Sequence, residues 1–430
     1  MARITKWEPE NEQFWESEGK KHASRNLWIS IPALFLAFAV WQIWSVVAVN
    51  LNDVGFNFTS GELFTLAALP GLTGATLRLI YTFVVPIFGG KNWTIISTAS
   101  LLIPSIGIGY AVQNPETSFM TMAILAALCG LGGGNFASSM ANISFFYPKK
   151  AKGTALGLNA GIGNLGVSAV QFIAPLIVTV GVFGAVAGAP QQVADGTNIW
   201  IQNAGFVWVI PIVLTVIAAI FGMDNLPGTK ASVKEQAVIF RNKHTWIMTW
   251  LYVMCFGSFI GYAAAFPLLI RTEFPEVNAM QYAFLGPLVG ALIRPVGGWI
   301  SDKIGGAIVT FWDIVLMIAA TIGVIYFYNA GNFTGFLIMF MVLFVTTGIA
   351  NGSTFRMIPF IFPVKEAAPV LGFTSAIGAY GAFVIPKMFG WSIETTGVAN
   401  TALYIFIAYY VISLLITWYY YSRKNAEVKC

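Results

Sequence analysis

The chain has 430 residues, of which 57% are hydrophobic and only 10% charged, with a formal net charge of +5. That balance excludes a soluble globular protein and describes a chain that lives in a lipid bilayer. Three cysteines and two histidines exclude a disulfide framework and leave no ligand set for zinc, haem or an iron–sulfur cluster, so neither metal nor cofactor is expected.

In chain order, residues 1–26 are polar and rich in glutamate, with no apolar core ahead of a small-residue cleavage site, and read as a cytoplasmic tail rather than a signal peptide. Apolar stretches of about 20 residues, enough to cross a bilayer, follow near 27–50, 62–86, 94–113, 119–147, 153–184 and 204–223. A mixed-charge linker, 224–243, separates them from six more, near 244–270, 280–301, 307–329, 332–362, 368–393 and 399–422, with a short tail at 423–430. The expectation is an all-α integral membrane protein: a 27–223 bundle, a 244–422 bundle, and twelve helices in all. Most of the 23 basic residues, among them Lys149, Lys150, Lys152, Lys230, Lys234, Arg241 and Lys243, fall in the N-terminal tail and the alternate loops on its side. The positive-inside rule makes that side cytoplasmic, both termini included. The net charge is then an orientation signal, and no nucleic-acid partner is indicated.

The two halves repeat each other. Arg78 in GATLRLIYTFVVPIFGG and Arg294 in GALIRPVGGWISDKIGG are 216 residues apart, each preceded by Gly-Ala and followed by Gly-Gly. Leu156, Gly157, Ile162, Gly163 and Gly166 recur 215 residues on as Leu371, Gly372, Ile377, Gly378 and Gly381, and Phe145 and Pro148 as Phe360 and Pro363. A duplicated six-helix unit with both ends inside resembles the layout of a major facilitator transporter, whose substrate site lies near the midplane between pseudo-symmetric halves. On the fifth span, helical spacing puts Gly157, Gly161, Asn164, Ser168 and Gln171 on one face and Asn159, Gly163, Gly166 and Val170 on the other. Absent side chains let helices approach closely, while an amide at mid-helix, Asn164, needs a polar partner or a cavity.

An arginine at mid-membrane costs roughly 2.5–3.5 kcal/mol on insertion scales, so two at equivalent repeat positions need a reason. Arg78 shares its face with Gly71, Gly74, Ala75 and Thr82, and Arg294 with Pro287, Gly290, Ala291 and Gly298. Both are expected to project into a central cavity and face each other. Neutralisation by buried carboxylates is the alternative. Glu62, Asp224, Asp302, Glu366 and Glu394 lie at span ends or in loops, and only Asp313 reaches the interior. One acid does not balance two arginines, which makes the missing negative charge the substrate. Guanidinium presents coplanar N–H donors that match a planar oxyanion, and a pair of them suits a small monoanion. Phe136, Tyr252 and Phe256 are aromatic candidates beside it, with ordinary core or lipid packing as the alternative among 35 phenylalanines. Arg356 and Lys387 are close enough to span ends to snorkel.

GNFASSMANISFFYPKKAKGTALGLNAGIGNLG and its echo LGFTSAIGAYGAF resemble the two signature segments of the nitrate/nitrite porter family of the major facilitator superfamily. FNFTSGELF, TLRLIYTFVVPIFGG, WIMTWLYVMCFGSFIGY and SDKIGG resemble it in the same order, across nearly the whole chain. The resemblance implies nitrate held by Arg78 and Arg294, with Phe136 and Phe256 closing on the anion and Asn164 and Tyr252 nearby. It also implies that the glycines of the fifth and eleventh helices (Gly157, Gly161, Gly163, Gly166, Gly372, Gly378 and Gly381) slide and rock during alternating access. One departure is FGGKNWT, which lacks the acidic residue common in this loop of the superfamily, whereas the second copy keeps Asp302.

The sequence therefore reads as a non-enzymatic nitrate/nitrite antiporter of the bacterial inner membrane, working as a monomer in the lipid bilayer. The rival within the family is a proton-coupled nitrate symporter. A membrane sensor or redox subunit would need a soluble domain or haem and cluster ligands, and a duplicated alternating-access bundle argues against an anion channel.

Overall fold

A computed structural model describes Ile4 and residues 6–193, 196–227 and 237–430. The stretch 228–236 of the expected linker, with Lys230 and Lys234, lies outside the described residues. Twelve segments are long and apolar enough to cross a membrane, as the hydropathy pattern predicts. The first six are α1 (Glu12–Asn50), α2 (Ser60–Tyr81), α3 (Gly90–Ala111), α4 (Phe119–Phe146), α5 (Lys149–Val178) and α6 (Asn203–Gly222). The others are α7 (Lys243–Glu273), α8 (Ala279–Ile304), α9 (Gly306–Asn329), α10 (Phe333–Ile361), α11 (Pro369–Thr396) and α12 (Asn400–Ser422). A two-residue antiparallel ribbon, β1 (Gln191–Gln192) with β2 (Asn198–Ile199), lies between α5 and α6. The chain divides into two units. One runs to Phe58 and resumes at Leu72 through α6; the other joins Thr59–Gly71, the first half of α2, to α7–α12.

Local sequence explains the departures from the hydropathy boundaries. Helix α1 starts well before residue 27 because Asn11 caps it, its side chain accepting from the Phe14 N–H. Helix α3 is interrupted at Leu101, where Pro104 cannot donate to the carbonyl one turn back. Pro148 ends one helix and admits the next, so α5 begins at Lys149. The repeated Gly-Gly pair has a physical basis in both copies. Gly89 (φ 84°) and Gly305 (φ 96°) adopt the left-handed region that turns the chain into α3 and α9. The next glycine makes room for α4 or α10: a Cβ on Gly90 would meet Asn142 and one on Gly306 would meet Met357.

The first unit is braced by Asp224, just past α6. Its Oδ2 accepts from His22 Nδ1 at 2.8 Å, Arg25 Nη2 at 2.6 Å and Asn26 Nδ2 at 3.1 Å, and its own N–H donates to Asn26 Oδ1 at 2.9 Å. Burial pushes this carboxyl's pKa up, but the hydrogen bonds from His22, Arg25 and Asn26 and the Arg25 charge outweigh it, and the net shift is downward. The ion-paired carboxylate thus contributes stability that is present above the usual carboxylate range and lost as pH falls through the depressed folded value. Asp224→Asn is expected to cost roughly 1–3 kcal/mol at pH 7, read as a lower Tm in detergent, with the difference from wild type vanishing in acid below that folded value.

Where the loop before α3 lacks an acid, Asn225 substitutes, its Oδ1 accepting from the Lys91 N–H at 2.9 Å. In the second copy Asp302 accepts from Arg356 Nε instead. Arg356 is therefore ion-paired. Lys387 also has a polar partner, its Nζ donating to Thr65 Oγ1 on α2 at 2.7 Å.

Candidate anion-binding residues

Arg78 is 0% exposed. Three features hold its guanidinium. Nε donates to the Gly133 carbonyl of α4 at 3.1 Å, the Phe136 ring lies 4.8 Å from Cζ, and the Trp41 ring of α1 lies at 5.3 Å. Glycines make this possible. A Cβ on Gly74 would stand 2.5 Å from Trp41 Nε1, and one on Gly133 would stand 2.8 Å from Gly74 Cα, so α1, α2 and α4 converge only without side chains there. Phe38 adds a further ring, edge-on to Phe136 at 6.1 Å.

Arg294 is half-buried in the second unit, with Nη2 donating to Tyr252 Oη at 3.4 Å and Cζ 4.8 Å from the Phe355 ring of α10. No carboxylate lies within ion-pair distance of it among the described residues. Tyr252 and Phe256 are stacked at 5.5 Å and 20°. Tyr252 immediately precedes, and Phe256 lies within, a π-helical turn, Val253–Gly257, of the kind that often marks functional helices. In the first unit α1 is broken at the matching depth, its helix ending at Trp41 and resuming at Trp44.

The structure thus brings Arg78 to Phe136, and Arg294 to Tyr252 and through it to Phe256. Asn164 is buried on α5, and its Nδ2 donates to the Ala160 carbonyl at 2.9 Å. Sequence reasoning missed Trp41, Phe38 and Phe355. A signal for Trp41 existed, because it precedes Phe256 by the repeat offset of 215. Phe355 and Phe38 had no comparable mark among so many phenylalanines.

The glycines divide by what they face. A Cβ on Gly166 would stand 2.1 Å from the Phe35 carbonyl of α1, and one on Gly381 would stand 2.2 Å from Gly257 Cα. Gly163 packs on Leu34, and a Cβ on Gly378 would stand 2.8 Å from the Tyr252 ring. Gly157, Gly161 and Gly372 meet nothing within 4 Å. Gly378→Leu is expected to push Tyr252 away from Arg294 and lower transport by about tenfold or more, with membrane insertion intact. Gly163→Leu has only the flexible Leu34 side chain to displace and is expected to do less. Vesicle uptake compared with the amount of inserted protein measures both.

Asp313 is 3% exposed on α9, and neither carboxylate oxygen has a hydrogen-bond partner among the described residues. Both histidines are engaged at span ends, His22 with Asp224 and His244 Nδ1 with Tyr421 Oη at 2.9 Å. Cys129 and Cys255 are buried packing residues, as their apolar surroundings predict.

A model of the Major Facilitator Superfamily matches residues 27–386. The nitrate/nitrite transporter NarU of Escherichia coli (strain K12) is 46% identical over 98% of this chain and 97% of its own length. The protein named Probable nitrate/nitrite antiporter NarK2, from Thermus thermophilus, is 42% identical over 99% of this chain and 98% of its own. Among solved structures, a bacterial homologue of the human lysosomal transporter Spinster has a TM-score of 0.70 at 15% identity, covering 93% of this chain and 97% of that one. The xylose transporter XylE from E. coli has a TM-score of 0.69 at 14% identity, covering 91% and 95%. The predicted all-α fold with twelve spans and the resemblance drawn from the signature segments are both borne out, and the chain belongs to the nitrate/nitrite porter family of the Major Facilitator Superfamily.

Proposed function

We propose that this transporter exchanges nitrate for nitrite across the bacterial inner membrane by alternating access, as a monomer with both termini in the cytoplasm. Arg78, Phe136 and Asn164 of the first unit and Arg294, Tyr252 and Phe256 of the second are the proposed anion-binding residues. The observation that carries this reading is the shared construction of the two arginines: each unit holds one guanidinium beside aromatic ring faces. With Nε of Arg78 tied to a carbonyl and the Trp41 and Phe136 rings beside its Cζ, the proposed contact to a planar anion is edge-on, through paired N–H donation. Relatives named for nitrate and nitrite support the choice of oxyanion. Gly166, packed on the α1 backbone at Phe35, and Gly381, packed on the α7 backbone at Gly257, are the packing surfaces on which α5 and α11 rock.

The test is uptake of labelled nitrate into proteoliposomes. Internal nitrite is expected to stimulate it at least about tenfold, and equal uptake with and without internal anion overturns exchange. A proton-coupled symport is the second reading, favoured by one observation, the buried Asp313 carboxyl without hydrogen bonds.

A further inference from the structure

We infer that Asn351, on α10, is a further anion-binding residue of the second unit, its amide donating N–H groups to the small planar anion that Arg294 holds; the inference rests on the transport reading above. Asn351 is 2% exposed, and its Oδ1 is buried with no hydrogen-bond partner among the described residues. A buried amide left unsatisfied is a cost to the fold that an apolar residue of similar shape would avoid.

Its place on α10 says what the amide serves. A Cβ on Gly348 would stand 2.4 Å from the Gly290 carbonyl, and one on Gly352 would stand 2.3 Å from the Arg294 carbonyl, so that side of α10 lies against α8. Thr354 Oγ1 is 3.3 Å from Cys255 Sγ, so the neighbouring side lies against α7. At roughly 100° per residue, Asn351 projects between these two sides, into the wedge where α7 and α8 bring Tyr252 Oη and Arg294 Nη2 to 3.4 Å. Phe355, one turn along, covers the same guanidinium.

The duplication points to the same role. Asn351 follows Phe136 by 215 residues, the offset that relates Phe145 to Phe360 on the same two helices and Pro148 to Pro363 just beyond them. The first unit thus places a ring over its arginine where the second places an amide. Turned over about its terminal torsion, the amide puts two N–H donors where Oδ1 now stands, a position that no atom of the described chain satisfies. The oxygen atoms of nitrate or nitrite are acceptors of the required kind.

The test measures nitrate affinity and ligand-free thermal stability of the purified full-length protein, wild type against Asn351→Leu and Asn351→Ala. A binding role predicts a nitrate Kd about tenfold weaker in both variants, with ligand-free Tm unchanged or raised because an unsatisfied amide has been removed. Wild-type affinity in both variants overturns the inference. So does a loss of affinity that is accompanied in both by a fall in ligand-free Tm, which marks a structural residue. Wild-type protein that does not bind nitrate overturns the transport reading itself, and this inference with it.

Discussion

Lysine in place of Arg78 or Arg294 is expected to weaken nitrate binding by roughly 10- to 100-fold, although charge is retained. The loss corresponds to about one hydrogen bond to a charged partner, roughly 1.5–3 kcal/mol. An ammonium is a point donor and presents no planar fork. Arg78→Lys also forfeits the Gly133 carbonyl and the two ring faces that orient the guanidinium, so the lysine would be both weaker and misplaced. Arg294→Lys loses the Phe355 face and the Tyr252 hydroxyl. It starts half-buried, so solvent offsets part of the loss, and its effect is expected at the lower end of the range. Nitrate titration of purified variants decides the matter, and a lysine variant that binds as well as wild type removes paired donation from the model.

Uptake into anion-free vesicles under an acid-outside gradient is expected to stay near background, because the proposed exchange needs a counter-anion. Arginine stays protonated at any working pH, and the two histidines are engaged elsewhere. On the exchange reading, occluding the substrate buries the half-exposed Arg294, and desolvating an uncompensated guanidinium costs of order several kcal/mol. A bound monoanion offsets that cost, so the loaded carrier is expected to cross over and the empty one to stall. Asp313 is the residue on which the opposite outcome would depend. Robust proton-driven accumulation that disappears in Asp313→Asn would replace exchange by symport.

Much of the candidate site was legible in the sequence because intramembrane charge is rare. Arg78 and Arg294 stand out from 430 residues by cost alone, and the 216-residue offset ties them together. The rings around them were less legible. Phe136 and Phe256 were marked by the family resemblance, whereas Trp41, Phe38 and Phe355 were ordinary apolar residues until helix packing put them beside a guanidinium or its neighbour. The partners of Lys387 and Arg356 went unread for a related reason. Distance to the membrane edge says that a long side chain is able to snorkel, but Thr65 and Asp302 are nearer partners, and neither is close in sequence.

What the sequence by itself determined is the number of spans, the duplication and the two charged positions, since hydropathy, fixed offsets and rare charges are properties of a one-dimensional string. Only the tertiary structure decided which glycines carry close packing. Gly157 and Gly166 are indistinguishable as letters, yet one faces open space and the other a backbone carbonyl, because the face a helix turns to its neighbour depends on contacts made by residues far away in the chain.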